Sequence, residues 1–232
     1  MWKTFEAVFK AIGRVLSFVR RIPIIDDWLN SKQRVWLNPV VTHIVRDPRD
    51  PDLARALELY AKKIPEDQRC SEDDMIRWVG ENAEKRRLGI AALTDWFIVA
   101  KVRHRVCGFL LFHYSNIANL ALIAYMVVGN TPGAQVNAVS TALGAKVRKL
   151  LQREKELKEC RGFVIEVEDP RKENNGRKRI EALARIRRFC TLAETQQLTL
   201  RALDFDYKQP LLSLEDKGTE YPLLLLSPIG SS

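Results

Sequence analysis

The sequence holds no unbroken run of the roughly 20 apolar residues that a membrane-spanning helix needs. Its longest nearly uncharged stretch, residues 106–128, is interrupted by His113, Asn116 and Asn119 and reads as strands joined by a turn. Cysteine is scarce as well. Cys70, Cys107, Cys160 and Cys190 lie far apart, with neither the paired spacing of a metal site nor the density of a disulfide scaffold, so they are expected to be reduced thiols in a cytoplasmic protein. No Gly-Lys-Ser/Thr follows a glycine-rich loop, which excludes a Walker nucleotide site, and no Gly-x-Ser-x-Gly elbow is present. No set of His, Cys and carboxylates has metal-ligand spacing, so no metal is expected. No repeat of solenoid type occurs.

What is present describes a folded chain with a basic surface. Hydrophobic residues make up 46% of the 232 and charged residues 29%, a composition that is neither disordered nor membrane-embedded. The 38 Lys and Arg exceed the 29 Asp and Glu to give a net charge of +9, which favours anionic partners such as nucleic acid, phospholipid or a phosphorylated cofactor. The first 21 residues space Trp2, Phe5, Phe9, Ile12, Leu16 and Val19 at threes and fours, with Lys3, Lys10, Arg14 and Arg20 elsewhere. This predicts an amphipathic helix with a basic face, ended by Pro23. Charges interrupt its apolar side and no small-residue cleavage site follows, so no targeting peptide is expected. Its apolar face is suited to packing on the domain, on a second copy in a homodimer, or on a membrane surface. Residues 1–37 thus read as a basic helix and linker, and 38–232 as one domain.

From Trp36 a strand rich in β-branched residues is predicted, and "RDPRDPD" supplies a turn. Two helices follow, one with Leu53, Leu57 and Tyr60 on one face and one opened by Ser71 and a run of acids. "DWFIVAKV" and "RVCGFLLFHYS" read as a hairpin around "RHR", and "LALIAYMVV" as the next strand. A helix over 142 to about 158, a strand "GFVIEVED", a basic loop, a helix "RIEALARIRRFC" with Ile180, Leu183, Ile186 and Phe189 on one side, and two strands complete the order. Interleaved helices and strands leave both α/β and α+β arrangements open.

In this order, "NTPGAQVNAVSTALG" after the apolar strand that ends at Val128 resembles the cofactor loop of the GNAT acetyltransferase superfamily, over about residues 40–228. The family's pattern of Gln or Arg, two residues, Gly, one residue, then Gly or Ala falls on Gln135, Ala138 and Ser140, of which Gln135 matches. "EVEDPR", "RRFC", "YKQP" and "YPLLLL" are similar to further segments of some members. The resemblance implies an α/β (α+β) fold with a mixed, mostly antiparallel sheet flanked by helices, and binding of acetyl-CoA or another acyl-CoA. Val127 and Val128 at the strand end, with Gln135, Val136, Asn137, Ala138, Val139 and Ser140 at the helix start, would hold it. Backbone N–H groups and the helix dipole can dock a pyrophosphate there without a lysine, while Lys146, Arg148 and Lys149 follow nearby. The same stretch also fits a plain turn whose serine or asparagine caps a helix.

Transfer of an acyl group to an amine needs a free amine, a polarised carbonyl and a proton for the leaving thiolate. The resemblance implies a tyrosine as the acid, at the position occupied by Cys190. A thiol can donate a proton, although cysteines of this kind are more often structural. Glu166 and Glu168 share a strand face, which makes Glu166 a candidate base acting through water, against the alternatives of surface solvation or pairing with arginines. His113 suits proton transfer at neutral pH or a structural hydrogen bond, and Tyr207 is a further hydroxyl. The segment 171–188 carries eight Lys and Arg against two Glu, enough to meet RNA, DNA or another acidic surface, but it lacks aromatics for base stacking. The alternative to an enzyme is a catalytically degenerate member that binds protein, nucleic acid or membrane.

Overall fold

The computed structural model describes residues 39–88, 93–129, 136–154, 157, 160, 162–194, 198–203, 207–208 and 222–230. The expected N-terminal helix lies outside these, as does Gln135. The chain divides at residues 160 and 161 into two compact units.

In the first unit β1 (Val41–Val45) leads into α1 (Pro51–Lys63) and α2 (Glu72–Leu88), then β2 (Leu93–Val102), β3 (Arg105–Ser115), β4 (Leu120–Val128) and α3 (Val136–Arg153). The expected start of this strand at Trp36 lies outside the described residues, and β1 is described from Val41. At the start of α1 the Asp50 carboxylate accepts from the Asp52 N–H at 2.9 Å, and Pro51 occupies the first turn, where an N–H would have no partner. At α2 the Ser71 hydroxyl accepts from the Asp73 N–H at 3.2 Å.

β1 to β4 pair antiparallel in sequence order. The β2–β3 hairpin turns through Arg103 and His104, both with positive φ, 47° and 65°, as a two-residue turn matched to strand twist requires. Phe97 opposes Leu111, two residues from Phe109 and on the same face, so Phe97 and Phe109 stack diagonally at 5.0 Å on the side where Tyr60 of α1 meets Phe109 at 6.1 Å. On that side Trp78 of α2 meets His113 at 5.2 Å. The other face carries the stacked pair Trp96 and Phe112 and is covered by α3. With helices on both faces, β2 is buried from Leu93 to Ala100, the expected outcome for a near-continuous apolar strand. Trp96, Tyr60, Tyr114, Phe97, Phe109 and Phe112 are the largest fully enclosed side chains among the described residues.

In the second unit β5 (Gly162–Glu168) pairs with β8 (Pro222–Gly230), whose other edge takes β6 (Leu198–Ala202) and the two-residue β7 (Tyr207–Lys208), all antiparallel. α4 (Gly176–Glu194) packs on β5 and β6. Among the described residues, β7 and a single 3-10 turn at Glu66–Gln68 are absent from the expected order. Two further expectations are corrected. α3 starts six residues before Ala142 and ends at Arg153, with the buried Val139, Leu143, Val147 and Leu150 forming its packed stripe. On α4, Ile180 and Leu183 stand 68% and 50% exposed, while Ala182 and Ala193 are buried with Ile186 and Phe189 half-buried between them. Steps of three only fall short of a full turn by about 60° each, so Ile180, Leu183, Ile186 and Phe189 wind around the helix instead of lining one side.

Candidate active site at the end of β4

β4 is distorted just before its end. Leu111 opposes Tyr125 and Phe112 opposes Ile123, which leaves Ala124 as an extra residue and bends the strand. Beyond the bulge Val127 pairs with Phe109 and Val128 with Gly108, and the Gly129 N–H bonds the Cys107 carbonyl at 2.8 Å. The first turn of α3 lies against this strand end. A Cβ on Gly108 would stand 2.8 Å from the Val127 carbonyl oxygen and 2.9 Å from Val139 Cγ1, so glycine is what allows helix and strands to approach.

Val127 and Val139 are buried, Val128, Ala138 and Ser140 half-buried, and Val136 and Asn137 exposed. Val136 to Ser140 are helical, and among the described residues only Arg103, His104 and Asn119 combine a side chain with positive φ. Ala138 therefore occupies its position without strain, and Asn137 makes no use of a left-handed conformation. The Ser140 hydroxyl donates to the Val136 carbonyl at 3.0 Å. The first turn of α3 carries no acid, which leaves the positive end of the helix dipole uncompensated by any side chain there. These features fit an acyl-CoA pyrophosphate, since backbone donors and not side chains would meet it. Lys146 and Arg148 are half-buried and Lys149 is exposed on the same helix.

Glu166, Cys190 and Tyr207 fall in the second unit. Glu166 is half-buried on β5 opposite Leu225, Cys190 is half-buried on α4, and Tyr207 pairs with Leu223 on β8. Glu168 is ion-paired with Arg185, the arginine pairing that the sequence left open. At the end of β5 the buried Asp169 accepts from the Arg171 backbone and guanidinium, which holds its carboxyl below the usual range.

Three side-chain clusters lie in the first unit, and for two of them, around Tyr125 and His43, sequence reasoning supplied no expectation. Tyr125, inside the apolar run, reaches to the connection between α1 and α2. Its hydroxyl accepts from the Cys70 N–H at 3.3 Å and donates to the Gln68 carbonyl at 3.2 Å, while Tyr60 donates to the Cys70 carbonyl at 3.3 Å. Burial drives both phenols upward and pushes the Cys70 thiol up to about 11, so all three stay protonated at neutral pH. His113 takes the structural role: its Nδ1 lies 2.6 Å from Asp95 Oδ1, both residues are buried, and Asn82 bonds the backbone of Asp95 on both sides. A third cluster brings His43 Nε2 within 3.6 Å of Asp50 Oδ2 and 3.5 Å of Asp52 Oδ2. Lys101 Nζ sits 2.5 Å from the same Asp52 oxygen, and Arg55 lies 3.5 Å from the other, so ammonium and guanidinium already supply positive charge there.

No protein-family model matches this sequence, and no curated protein matches it as a relative. Solved structures do match its fold. The chain is similar to the diaminobutyrate acetyltransferase EctA from Paenibacillus lautus, at 16% identity over 83% of this chain and 95% of that one, with a TM-score of 0.52; that structure holds its substrate L-2,4-diaminobutyric acid and coenzyme A. It is similar to a GNAT-family protein from Bacteroides thetaiotaomicron, at 14% identity over 83% and 88% of the two chains, with a TM-score of 0.50. It is also similar to the ribosomal-protein-alanine N-acetyltransferase from Brucella melitensis, at 13% identity over 82% and 99%, with a TM-score of 0.50. The fold is that of the GNAT acetyltransferases, as the resemblance implied. Among the described residues no helix is long and apolar enough to cross a membrane.

Proposed function

We propose that this protein is an acyl-CoA-dependent N-acyltransferase that moves an acetyl group from acetyl-CoA to an amine. The observation that carries this reading is the acid-free first turn of α3, brought against the bulged end of β4 by the close approach at Gly108. Backbone N–H groups of Val136, Asn137 and Ala138 would receive the pyrophosphate, and the backbone of Val127 and Val128 would polarise the thioester carbonyl. The amine nitrogen attacks the carbonyl carbon, the C–S bond breaks, and the thiolate takes up a proton equivalent to the one that the amine gives up. Cys190 or Tyr207 would deliver that proton, and Glu166 would accept the other through water. The test is calorimetric titration with acetyl-CoA, which is expected to saturate and to weaken when Asn137 is replaced by proline. Absence of binding by every CoA ester tried would remove the reading.

One observation favours a second function, that of a module docking on an anionic surface. Ile180 and Leu183 are exposed on α4 among the exposed Arg177, Lys178, Arg179, Arg187 and Arg188, a mixture of apolar and basic groups suited to anionic lipid. Sedimentation with phosphatidylserine vesicles, lost in Ile180→Asp with Leu183→Asp and absent with phosphatidylcholine, is the outcome that this function requires.

A further inference from the structure

Arg69 lies on the connection between α1 and α2, and the proposed reaction has not used it. Its side chain is half-buried, and its Nε is fully enclosed without a hydrogen-bond partner among the described residues. A buried donor left unpaired is costly, more so when it is charged, and a guanidinium cannot relieve that cost by losing its proton. Among the described acidic side chains close to it in sequence, Asp74 pairs with Arg77, and Glu66, Glu72 and Asp73 are exposed.

The backbone on both sides of Arg69 is clamped. The Tyr125 hydroxyl bridges the Gln68 carbonyl and the Cys70 N–H, so a single β4 side chain ties down the peptide groups before and after the arginine. Tyr60 fixes the Cys70 carbonyl, and its ring meets that of Tyr125 at 5.0 Å. Peptide groups fixed on both sides, and a donor without a partner among the described residues, preorganise Arg69 for an anion. Its position indicates which anion. Tyr125 stands two residues before Val127 and faces α1 and α2, whereas α3, with its pyrophosphate-accepting turn, covers the opposite face of the sheet. With the cofactor arriving from the α3 side, the amine has to reach the thioester from the side of Arg69.

We propose that Arg69 binds a carboxylate of the acceptor, so that the substrate class is an amine that also carries a carboxylate, as amino acids and short peptides do. The planar fork of Nε and Nη takes both oxygens of a carboxylate at once, a geometry that lysine does not offer. This assignment rests on the acyl-transfer reading, and the experiment separates the two. Full-length protein is titrated calorimetrically with a panel of N-acetyl amino acids, which resemble the product and cannot react, and with the corresponding carboxamides. Acetyl-CoA is titrated in the same preparation.

The carboxylates are expected to bind at least about tenfold more tightly than the amides, equivalent to about 1.4 kcal/mol. Arg69→Gln should abolish that preference and leave acetyl-CoA affinity unchanged, and Arg69→Lys should recover part of it. Tyr125→Phe keeps the guanidinium but opens its clamp, and should reduce the preference without removing it. Equal binding of acids and amides, a preference that survives Arg69→Gln, or acetyl-CoA binding with no panel member bound would each overturn the assignment. An Arg69-dependent carboxylate preference without acetyl-CoA binding would keep the anion site and remove the transfer reaction.

Discussion

Gly108→Ala probes the contact on which the cofactor reading depends. The added methyl would meet the Val127 carbonyl oxygen at 2.8 Å and Val139 Cγ1 at 2.9 Å, one a paired strand and the other the first turn of α3. Carbon atoms are most stable about 3.5–4.0 Å apart, so helix and strand would have to separate by at least about 0.6 Å. Overpacking of this kind costs about 1–3 kcal/mol, and at about 2–4 °C per kcal/mol for a chain of this size the melting temperature should fall by about 2–12 °C. The same displacement would carry N–H groups at 2.9 Å from a phosphate oxygen out to about 3.5 Å, the edge of hydrogen bonding. Acetyl-CoA affinity should therefore fall about tenfold or more, the equivalent of one lost bond of about 1.4 kcal/mol.

The assay is thermal unfolding by circular dichroism beside calorimetric titration with acetyl-CoA. Gly144→Ala is the control. That glycine lies inside α3 with nothing within 4 Å of an added Cβ, so the substitution should stabilise by about 0.5–1 kcal/mol. A Gly108→Ala protein that melts within about 2 °C of the original and binds acetyl-CoA equally well would refute the reasoning, since helix and strand would then need no close approach.

Three further outcomes follow from particular contacts. Asp95→Ala removes the carboxylate beside the buried His113 Nδ1 and should cost about 1–3 kcal/mol, read as a lower denaturant midpoint, whereas Asp95→Asn keeps an oxygen near Nδ1 and should cost less. Iodoacetamide at pH 8, followed by peptide mass analysis, should modify the half-buried Cys160 and Cys190 before Cys70, whose thiol is pushed up to about 11, and before the buried Cys107, which burial also pushes up. Cys190→Ala should lower kcat with acetyl-CoA affinity unchanged if the thiol delivers the proton, and Cys190→Tyr should then restore turnover; equal kcat in all three proteins would remove Cys190 from the reaction.

The order of the elements could be read from residues because each has its own local signal. Pro51 with Asp50 and Ser71 with Asp73 mark helix starts, and "RHR" between apolar runs marks a hairpin that needs no glycine. β7 was missed because two residues carry no periodicity. The start of α3 was misplaced because "NTPGAQ" is rich in turn formers, while the stripe that begins at Val139 shows only once its buried partner residues are known. On α4, spacing by three mimicked a face, and it was the small Ala182 and Ala193 that turned inward, where large side chains were expected.

The candidate site was legible only where backbone does the work. A strand end followed by a helix start is a sequence pattern, and the pyrophosphate reading needs little more than that pattern and the missing acids of the first turn. Side-chain chemistry is another matter, because its meaning lies in partners far along the chain. Tyr125 in "LIAYMVV" looks like one more core residue, yet its hydroxyl reaches 55 positions back to Cys70 and 57 back to Gln68. Arg69 in "DQRCSE" looks like one more surface charge. Its significance comes from a donor that is enclosed and unanswered among the described residues, and no spacing rule marks an absence of that kind. The two residues explain each other: a tyrosine that ties down the peptide groups on either side of an arginine adds little to a loop that is merely exposed, but it fixes the aim of a guanidinium that must meet a planar carboxylate.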